Sequence, residues 1–107
     1  MQVRWWRRGA RPGTVRTGGA DELAYLLGFA EARTGVEAYV EPATNVTAMT
    51  VCLVAHDGEW TRRRVAGPKA ARELGERARI PVYDVAATGY PPRMREWTRQ
   101  HGSDRTA

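Results

Sequence analysis

Apolar and polar positions along this chain repeat with two periods, one typical of helices and one typical of strands. Between residues 21 and 34, apolar side chains recur three and four positions apart, which predicts an amphipathic helix. Asp21 and Glu22 suit the positive N-terminal end of this helix, and Gly35 suits the position just after its last turn. The apolar positions of the repeat are Leu23, Leu26, Leu27 and Ala30.

Three strands are predicted after this helix. Residues 36–41 alternate between small apolar side chains and larger or acidic ones, the pattern of a half-buried strand. Residues 46–55 are apolar on both faces, as expected of a central strand. Asp57-Gly58 favours a two-residue turn of type I′, which returns the chain into a third strand over residues 59–65.

The second half of the chain predicts a crossover. A helix begins at Gly67-Pro68 and stops at Ile80-Pro81, and residues 82–87 read as a fourth strand. After a break at residues 89–92, residues 93–100 have the pattern of one or two helical turns. The order α-β-β-β-α-β predicts a single small α/β domain, or α+β as the alternative. We expect a mixed four-stranded sheet with two main helices.

The composition is that of one globular domain. The chain has 107 residues, of which 42% are hydrophobic and 27% charged, enough for one core without a metal or disulfide. Cys52 is the only cysteine, which excludes an internal disulfide and favours a reducing, cytoplasmic location. No apolar run approaches the roughly 18 residues of a membrane span, and residues 1–19 lack the apolar region of a secretory signal.

The net charge of +5 is concentrated at the two ends of the chain. Residues 1–19 contain five arginines and no acid, residues 20–91 contain eight basic and ten acidic residues, and residues 92–107 contain four basic and two acidic residues. This distribution of charge divides the chain into a basic arm (1–19), an α/β domain (20–91) and a basic C-terminal tail (92–107). Nucleic acid, an anionic membrane and an acidic protein surface are candidate partners of the arm, and the alternative is that its tryptophans fold back onto the domain. The candidate nucleic-acid-binding residues of the arm are Arg4, Trp5, Trp6, Arg7 and Arg8.

The predicted hairpin provides a second candidate surface. A two-residue loop pairs Leu53 with Arg62 and places Trp60, Arg62 and Arg64 on one side of the sheet. A tryptophan beside guanidinium groups can stack a base and bind phosphates. The alternative is an edge strand whose arginine stems cover Trp60, with the fourth strand beside the first.

For several other residues that are able to take part in chemistry, the sequence fits either a structural role or a role in a functional site. Cys52, among apolar neighbours, is predicted to be a buried structural thiol. Asp84 lies in an apolar strand and requires exposure or an arginine partner. A metal site and ordinary turn polarity are both open for the hairpin-tip residues His56, Asp57 and Glu59. The sequence contains no glycine-rich phosphate loop, nucleophile elbow or Cys/His framework, and we predict no cofactor and no metal.

The chain resembles one known family in the order of its helices and strands and in the pattern of apolar and polar residues within them. A helix precedes the strand and turn VCLVAHDG at residues 51–58, and a second helix leads into PVYDV at residues 81–85. In this respect residues 23–85 resemble the core of restriction-endonuclease-like PD-(D/E)xK nucleases, especially the YraN-type and Holliday-junction-resolvase-type members. The chain has Cys52 where those nucleases have a metal-binding Asp, and Arg62-Arg63-Arg64 where they have Glu-x-Lys. The resemblance therefore implies a scaffold without the catalytic residues, able to bind nucleic acid but not to cleave it.

We thus expect a small non-enzymatic binding or regulatory protein, with nucleic acid or an acidic protein surface as partner. A small enzyme or enzyme subunit is the first alternative, with a pocket that gathers side chains such as Asp57, Tyr83 and Asp84. A protein-interaction module that forms homodimers through exposed tryptophans is the second.

Overall fold

A computed structural model describes residues 19–102 as a mixed four-stranded sheet with helices on both faces. The predicted α/β class and the order α-β-β-β-α-β are confirmed, and two further helices follow. The elements are α1 (Ala20–Glu31), β1 (Glu37–Glu41), β2 (Thr50–Val54), β3 (Trp60–Arg64), α2 (Pro68–Ala78), β4 (Val82–Asp84), α3 (Val85–Thr88) and α4 (Pro92–His101).

The strands lie in the order β3-β2-β1-β4. β1, β2 and β3 form an antiparallel meander, and β4 returns through α2 to pair parallel with β1. β3 is therefore an edge strand and β4 lies beside β1, as the arginines of the third strand predicted. In β2 the four residues after Thr50 are all buried, which confirms its central position.

The larger core lies between one face of the sheet and the helices α1 and α2. Its fully buried side chains include Leu26 of α1, Leu74 of α2, and Val51 and Leu53 of β2. Gly67 and Pro68 begin α2 as predicted, and α1 ends at Glu31, three residues earlier than predicted.

A second core lies on the opposite face, beneath α4. Met94 and Trp97 of α4 pack with side chains of β1, β2 and β3. The segment expected to form a basic tail with one or two helical turns contains a ten-residue helix with a buried apolar side. None of the helices between residues 19 and 102 is long and apolar enough to cross a membrane.

The hairpin turn differs from the prediction by one residue. The Ala55 amide donates to the Glu59 carbonyl (2.8 Å) and the Gly58 amide to the Ala55 carbonyl (2.9 Å), which leaves a three-residue loop, 56–58. Gly58 has a φ of +98°, whereas Asp57 does not have positive φ, so a type I′ turn is wrong for this loop. Arg62 pairs with Cys52 rather than with Leu53, and the predicted register is wrong by one position.

The fourth strand is also shorter than predicted. β4 ends at Asp84, whose Oδ1 accepts a hydrogen bond from the Ala86 amide (2.9 Å) and caps α3. An Asp at this position stabilises the first turn of a helix, so the chain leaves the sheet here. Asp84 is exposed, which was one of the two conditions predicted for a charge in this strand.

Candidate functional site

Of the two surfaces predicted from the sequence, only the hairpin face lies within the described residues. The arm residues Arg4 to Arg8 lie outside the described residues. Trp60, in contrast, is only 7% exposed, and its Nε1 donates to Thr98 Oγ1 of α4 (2.7 Å). Because α4 covers it, Trp60 offers no open ring face on which a base could stack.

The arginines beside Trp60 are engaged in contacts within the protein. Arg62 makes a two-point ion pair with Glu41 (2.8 Å for each bond), and its guanidinium lies 5.1 Å from the centre of the Trp60 ring. The hydrogen bonds to Glu41 raise the pKa of Arg62 above its ordinary value. Arg64 is exposed at the end of β3, opposite Thr50. This face therefore resembles the packed, arginine-covered alternative more than an open platform.

Charges of the described residues are balanced and largely paired. Residues 19–102 contain eleven basic and eleven acidic residues, so their net charge is zero. The ion pairs include Arg33 with Glu59 (2.9 Å) and Arg93 with Glu37 (2.8 Å). A phosphate would have to compete with these carboxylates for the guanidinium groups.

The polar residues of the hairpin tip support the fold of the turn. Glu59 pairs with Arg33 at the end of α1, and Asp57 Oδ1 accepts from the Glu59 amide (3.0 Å). Within residues 19–102, no group of three or more His, Cys, Asp or Glu side chains is arranged to hold a metal ion.

The side chains proposed for an enzyme pocket are not all brought together. Asp84 pairs with Val40 near the C-terminal end of β1, whereas Asp57 lies in the turn beside the N-terminal end of β1. The sheet therefore separates the two carboxylates. Tyr83 and Asp84 both line the cavity described next.

A groove of about 630 Å³ lies between α2 and the strands β1 and β4. At Gly75, α2 approaches β4 closely: a Cβ at this position would lie 2.4 Å from Cγ2 of Val82. The polar residues of the groove are Arg72, Glu76 and Asp84. The side chains that make its walls apolar include Val40, Met49, Ala71, Ile80 and Val82.

Exposed aromatic and apolar side chains continue from this groove around the edge of the sheet. Of the five large hydrophobic side chains exposed in residues 19–102, Val82 faces the groove, whereas Tyr83 and Tyr90 lie around the β4 edge toward the opposite face of the sheet. The buried Tyr39 lies beneath both tyrosines, with ring centres 5.4 Å from Tyr83 and 6.5 Å from Tyr90. We call the groove together with Val82, Tyr83 and Tyr90 the β4-edge surface.

A hydrogen-bonded carboxylate anchors one end of this surface. Glu41 accepts from Tyr90 and Thr50 as well as from Arg62. Burial and the bond to Glu41 raise the pKa of Tyr90 to about 12, so its hydroxyl stays a donor at neutral pH. The anchor joins the loop between α3 and α4 to β1, β2 and β3.

No local pattern in the sequence predicts the β4-edge surface. Its local signals were Tyr83 in a short strand and Tyr90 in the break Gly89-Tyr90-Pro91-Pro92. Neither signal shows that the two tyrosines lie against Tyr39, because residues 39 and 90 meet only in the folded sheet.

Comparisons with protein-family models, with curated proteins and with solved structures found no match to this chain.

Proposed function

We propose that this protein is a non-enzymatic binding protein, and that its β4-edge surface binds an apolar segment of a partner protein. The supporting observation is the groove of about 630 Å³ with apolar walls and a few polar groups at its margin. Binding cavities have this size and composition.

The exposed rim of the groove supports a protein as the partner. Tyrosines are enriched in protein interfaces because each combines a large apolar ring with a hydrogen-bonding hydroxyl. Contiguous exposed apolar residues on a small domain are typical of interaction sites. Val82, Tyr83 and Tyr90 form such a group beside the groove, whereas Val46, which is 89% exposed, lies apart on the loop between β1 and β2.

The groove can be tested with 1-anilinonaphthalene-8-sulfonate, whose fluorescence rises in apolar sites. We expect the folded wild-type protein to bind the dye, and Val82→Gln to weaken binding at least fivefold because it places an amide in the groove wall. Val46→Gln is the matched control, since it makes the same change at an exposed valine outside the groove. Equal dye binding by wild type and Val82→Gln, or no binding by folded wild type, would contradict the proposal.

Nucleic-acid binding through the arm is a second candidate function, favoured by the distribution of charge. Residues 1–19 contain five arginines and no acid, and residues 19–102 are neutral. Binding would then depend on the arm and on phosphate contacts. The buried Trp60 and the paired Arg62 give this candidate no support from the hairpin.

A further inference from the structure

The segment that forms one wall of the groove is only lightly attached to the domain. β4 pairs with β1 over three residues, Val82 to Asp84, and all three are exposed. α3, which follows directly, has no fully buried residue, and only Val85 packs, partly buried, against the second core. Few buried contacts and a short ladder are typical of segments that open locally while the rest of a protein stays folded.

The opposite edge of the sheet is held much more firmly. On β3, Trp60 is buried beneath α4, and Thr61 is completely buried with its hydroxyl bonded to Tyr25 of α1 (2.8 Å). β3 is therefore covered by α4 on one face of the sheet and by α1 on the other. The two edge strands of this sheet therefore differ in burial: β4 is exposed along its length, whereas β3 has two buried residues.

Backbone geometry at the start of the segment suits a hinge. Arg79, at the end of α2, has a φ of +59°. Hinges are formed by a few residues at element ends that absorb the change in φ and ψ. We take Arg79 as the hinge and call the segment that follows, Val82–Tyr90, the β4 flap.

One side chain at the end of the flap is placed to hold it closed. Tyr90 is the last residue of the flap, and its hydroxyl donates to Glu41. Glu41 is in turn held by Arg62 on β3, so the latch connects the flap to the firmly packed edge. Tyr83 contributes the second attachment, through its ring contact with Tyr39.

We infer that the β4 flap opens as a unit and gates the groove, with the Tyr90–Glu41 hydrogen bond as its latch. Val82, Tyr83 and Asp84 are groove-lining residues, so outward movement of the flap removes one wall and admits a ligand. A ligand that contacts both α2 and β4 then stabilises the closed flap. The gating role rests on the proposed function, whereas the opening of the flap does not.

Hydrogen exchange of two alanine amides in the full chain tests the opening. The Ala38 amide donates to the Pro81 carbonyl at the start of β4 (2.9 Å), and the Ala55 amide donates to the Glu59 carbonyl beside β3 (2.8 Å). Both alanines are buried, so the pair is matched in residue type, burial and bond length. We expect the protection factor of Ala38 to be at least tenfold smaller than that of Ala55. Equal protection factors would overturn the inference, because both amides would then exchange through the same global unfolding.

The latch is tested by Tyr90→Phe, which removes only the hydroxyl. We expect exchange at Ala38 to become about fivefold faster, the effect of losing one hydrogen bond, and exchange at Ala55 to stay the same. Tyr25→Phe is the matched control, since it removes a tyrosine hydrogen bond at the β3 edge and should leave Ala38 unchanged. Equal acceleration at Ala38 and Ala55 in Tyr90→Phe would show a general loss of stability and overturn the latch.

Gating is tested by adding saturating 1-anilinonaphthalene-8-sulfonate to the exchange experiment. We expect the dye to slow exchange at Ala38 and not at Ala55. If the dye binds but Ala38 is unaffected, the flap does not gate the groove. If the dye does not bind at all, the proposed function fails, and the comparison of Ala38 with Ala55 still decides whether the flap opens.

Discussion

Individual glycines in this protein have different roles, and Gly58 and Gly28 are the clearest contrast. Gly58 has positive φ, and a Cβ there would lie 2.2 Å from the carbonyl oxygen of Arg93 on α4. Gly28 lies within helix α1 and has open space where a Cβ would be. One glycine is thus required by the turn and by the packing of α4, and the other is not.

We expect Gly58→Ala to lower the free energy of unfolding by at least about 2 kcal/mol, from backbone strain and displacement of α4. Gly28→Ala should raise it by up to about 1 kcal/mol, because alanine is the better helix former. Urea unfolding measures both changes. A Gly58→Ala protein as stable as wild type would show that the three-residue turn and the close approach of α4 are misassigned.

Glu41 makes stability depend on pH. Burial alone would raise the pKa of Glu41, but hydrogen bonds from Arg62, Thr50 and Tyr90 outweigh it and hold the pKa below the ordinary value of 4.5. A carboxyl group with a lowered pKa in the folded state stabilises the fold above its unfolded-state pKa. That contribution is lost as the pH falls through the folded-state pKa.

We therefore expect the free energy of unfolding to decrease as the pH is lowered below about 4.5. Glu41→Gln should be less stable than wild type at pH 7 and lose less stability on acidification. Glu73→Gln, which breaks an exposed pair with Arg77, is the control and should follow the wild-type pH profile. Parallel profiles for Glu41→Gln and wild type between pH 5 and pH 3 would contradict this role of Glu41.

At the scale of elements, α4 shows how a short segment gains structure from its contacts. A ten-residue helix is marginal by itself in water, and its charged residues resemble a tail. Met94 and Trp97, three positions apart, provide the apolar side that packs on Cys52, Val54 and Trp60. The predicted burial of Cys52 is confirmed, and α4 supplies much of its cover.

This packing predicts the reactivity of the single thiol. Trp97→Ala should cost about 3–5 kcal/mol in unfolding free energy and speed the reaction of Cys52 with a thiol reagent at least tenfold. Gln100→Ala, on the exposed side of the same helix, should change neither. The milder Trp97→Phe keeps the test valid if Trp97→Ala does not fold. Unchanged thiol reactivity in folded Trp97 variants would mean that α4 does not shield Cys52.

At the scale of the whole molecule, the separation of charge divides two candidate functions between two parts of the chain. The described residues sum to zero charge, and the five arginines of residues 1–19 supply the formal excess. Nucleic-acid affinity, if it resides in the arm, is electrostatic and independent of the β4-edge surface. The two functions can therefore be separated by mutation.

We expect oligonucleotide binding at low salt to weaken steeply as salt is added, because bound phosphates release counterions. Deleting residues 1–17 should flatten this dependence, while Val82→Gln should leave it unchanged. Titration of single-stranded and duplex oligonucleotides at two salt concentrations measures both effects, after circular dichroism has shown that the variants are folded. Absence of binding at low salt would eliminate the nucleic-acid candidate.

The amino-acid sequence by itself determined the class of the domain and the approximate bounds of most elements. The helix at Leu23–Ala30, the apolar strand around Val51–Val54 and the start of α2 at Pro68 follow from local periodicity and from proline and glycine chemistry. These signals act between residues a few positions apart, so they can be read without knowing the fold. The edge position of β3 was likewise predictable, because a central strand covered on both faces is mostly apolar, whereas charged side chains are typical of edge strands.

Only the tertiary structure decided which faces are covered and where a groove remains. Trp60 meets Thr98 across 38 positions, and Arg93 meets Glu37 across 56. No local pattern encodes these distances, so an exposed Trp60 and a buried one fit the same strand sequence equally well. The hairpin register has a similar origin, since the Gly58 turn that sets it is packed against α4. The groove is lined by side chains of α2, β1 and β4, and Gly75 lets α2 lie against Val82, so its shape is a property of several elements together.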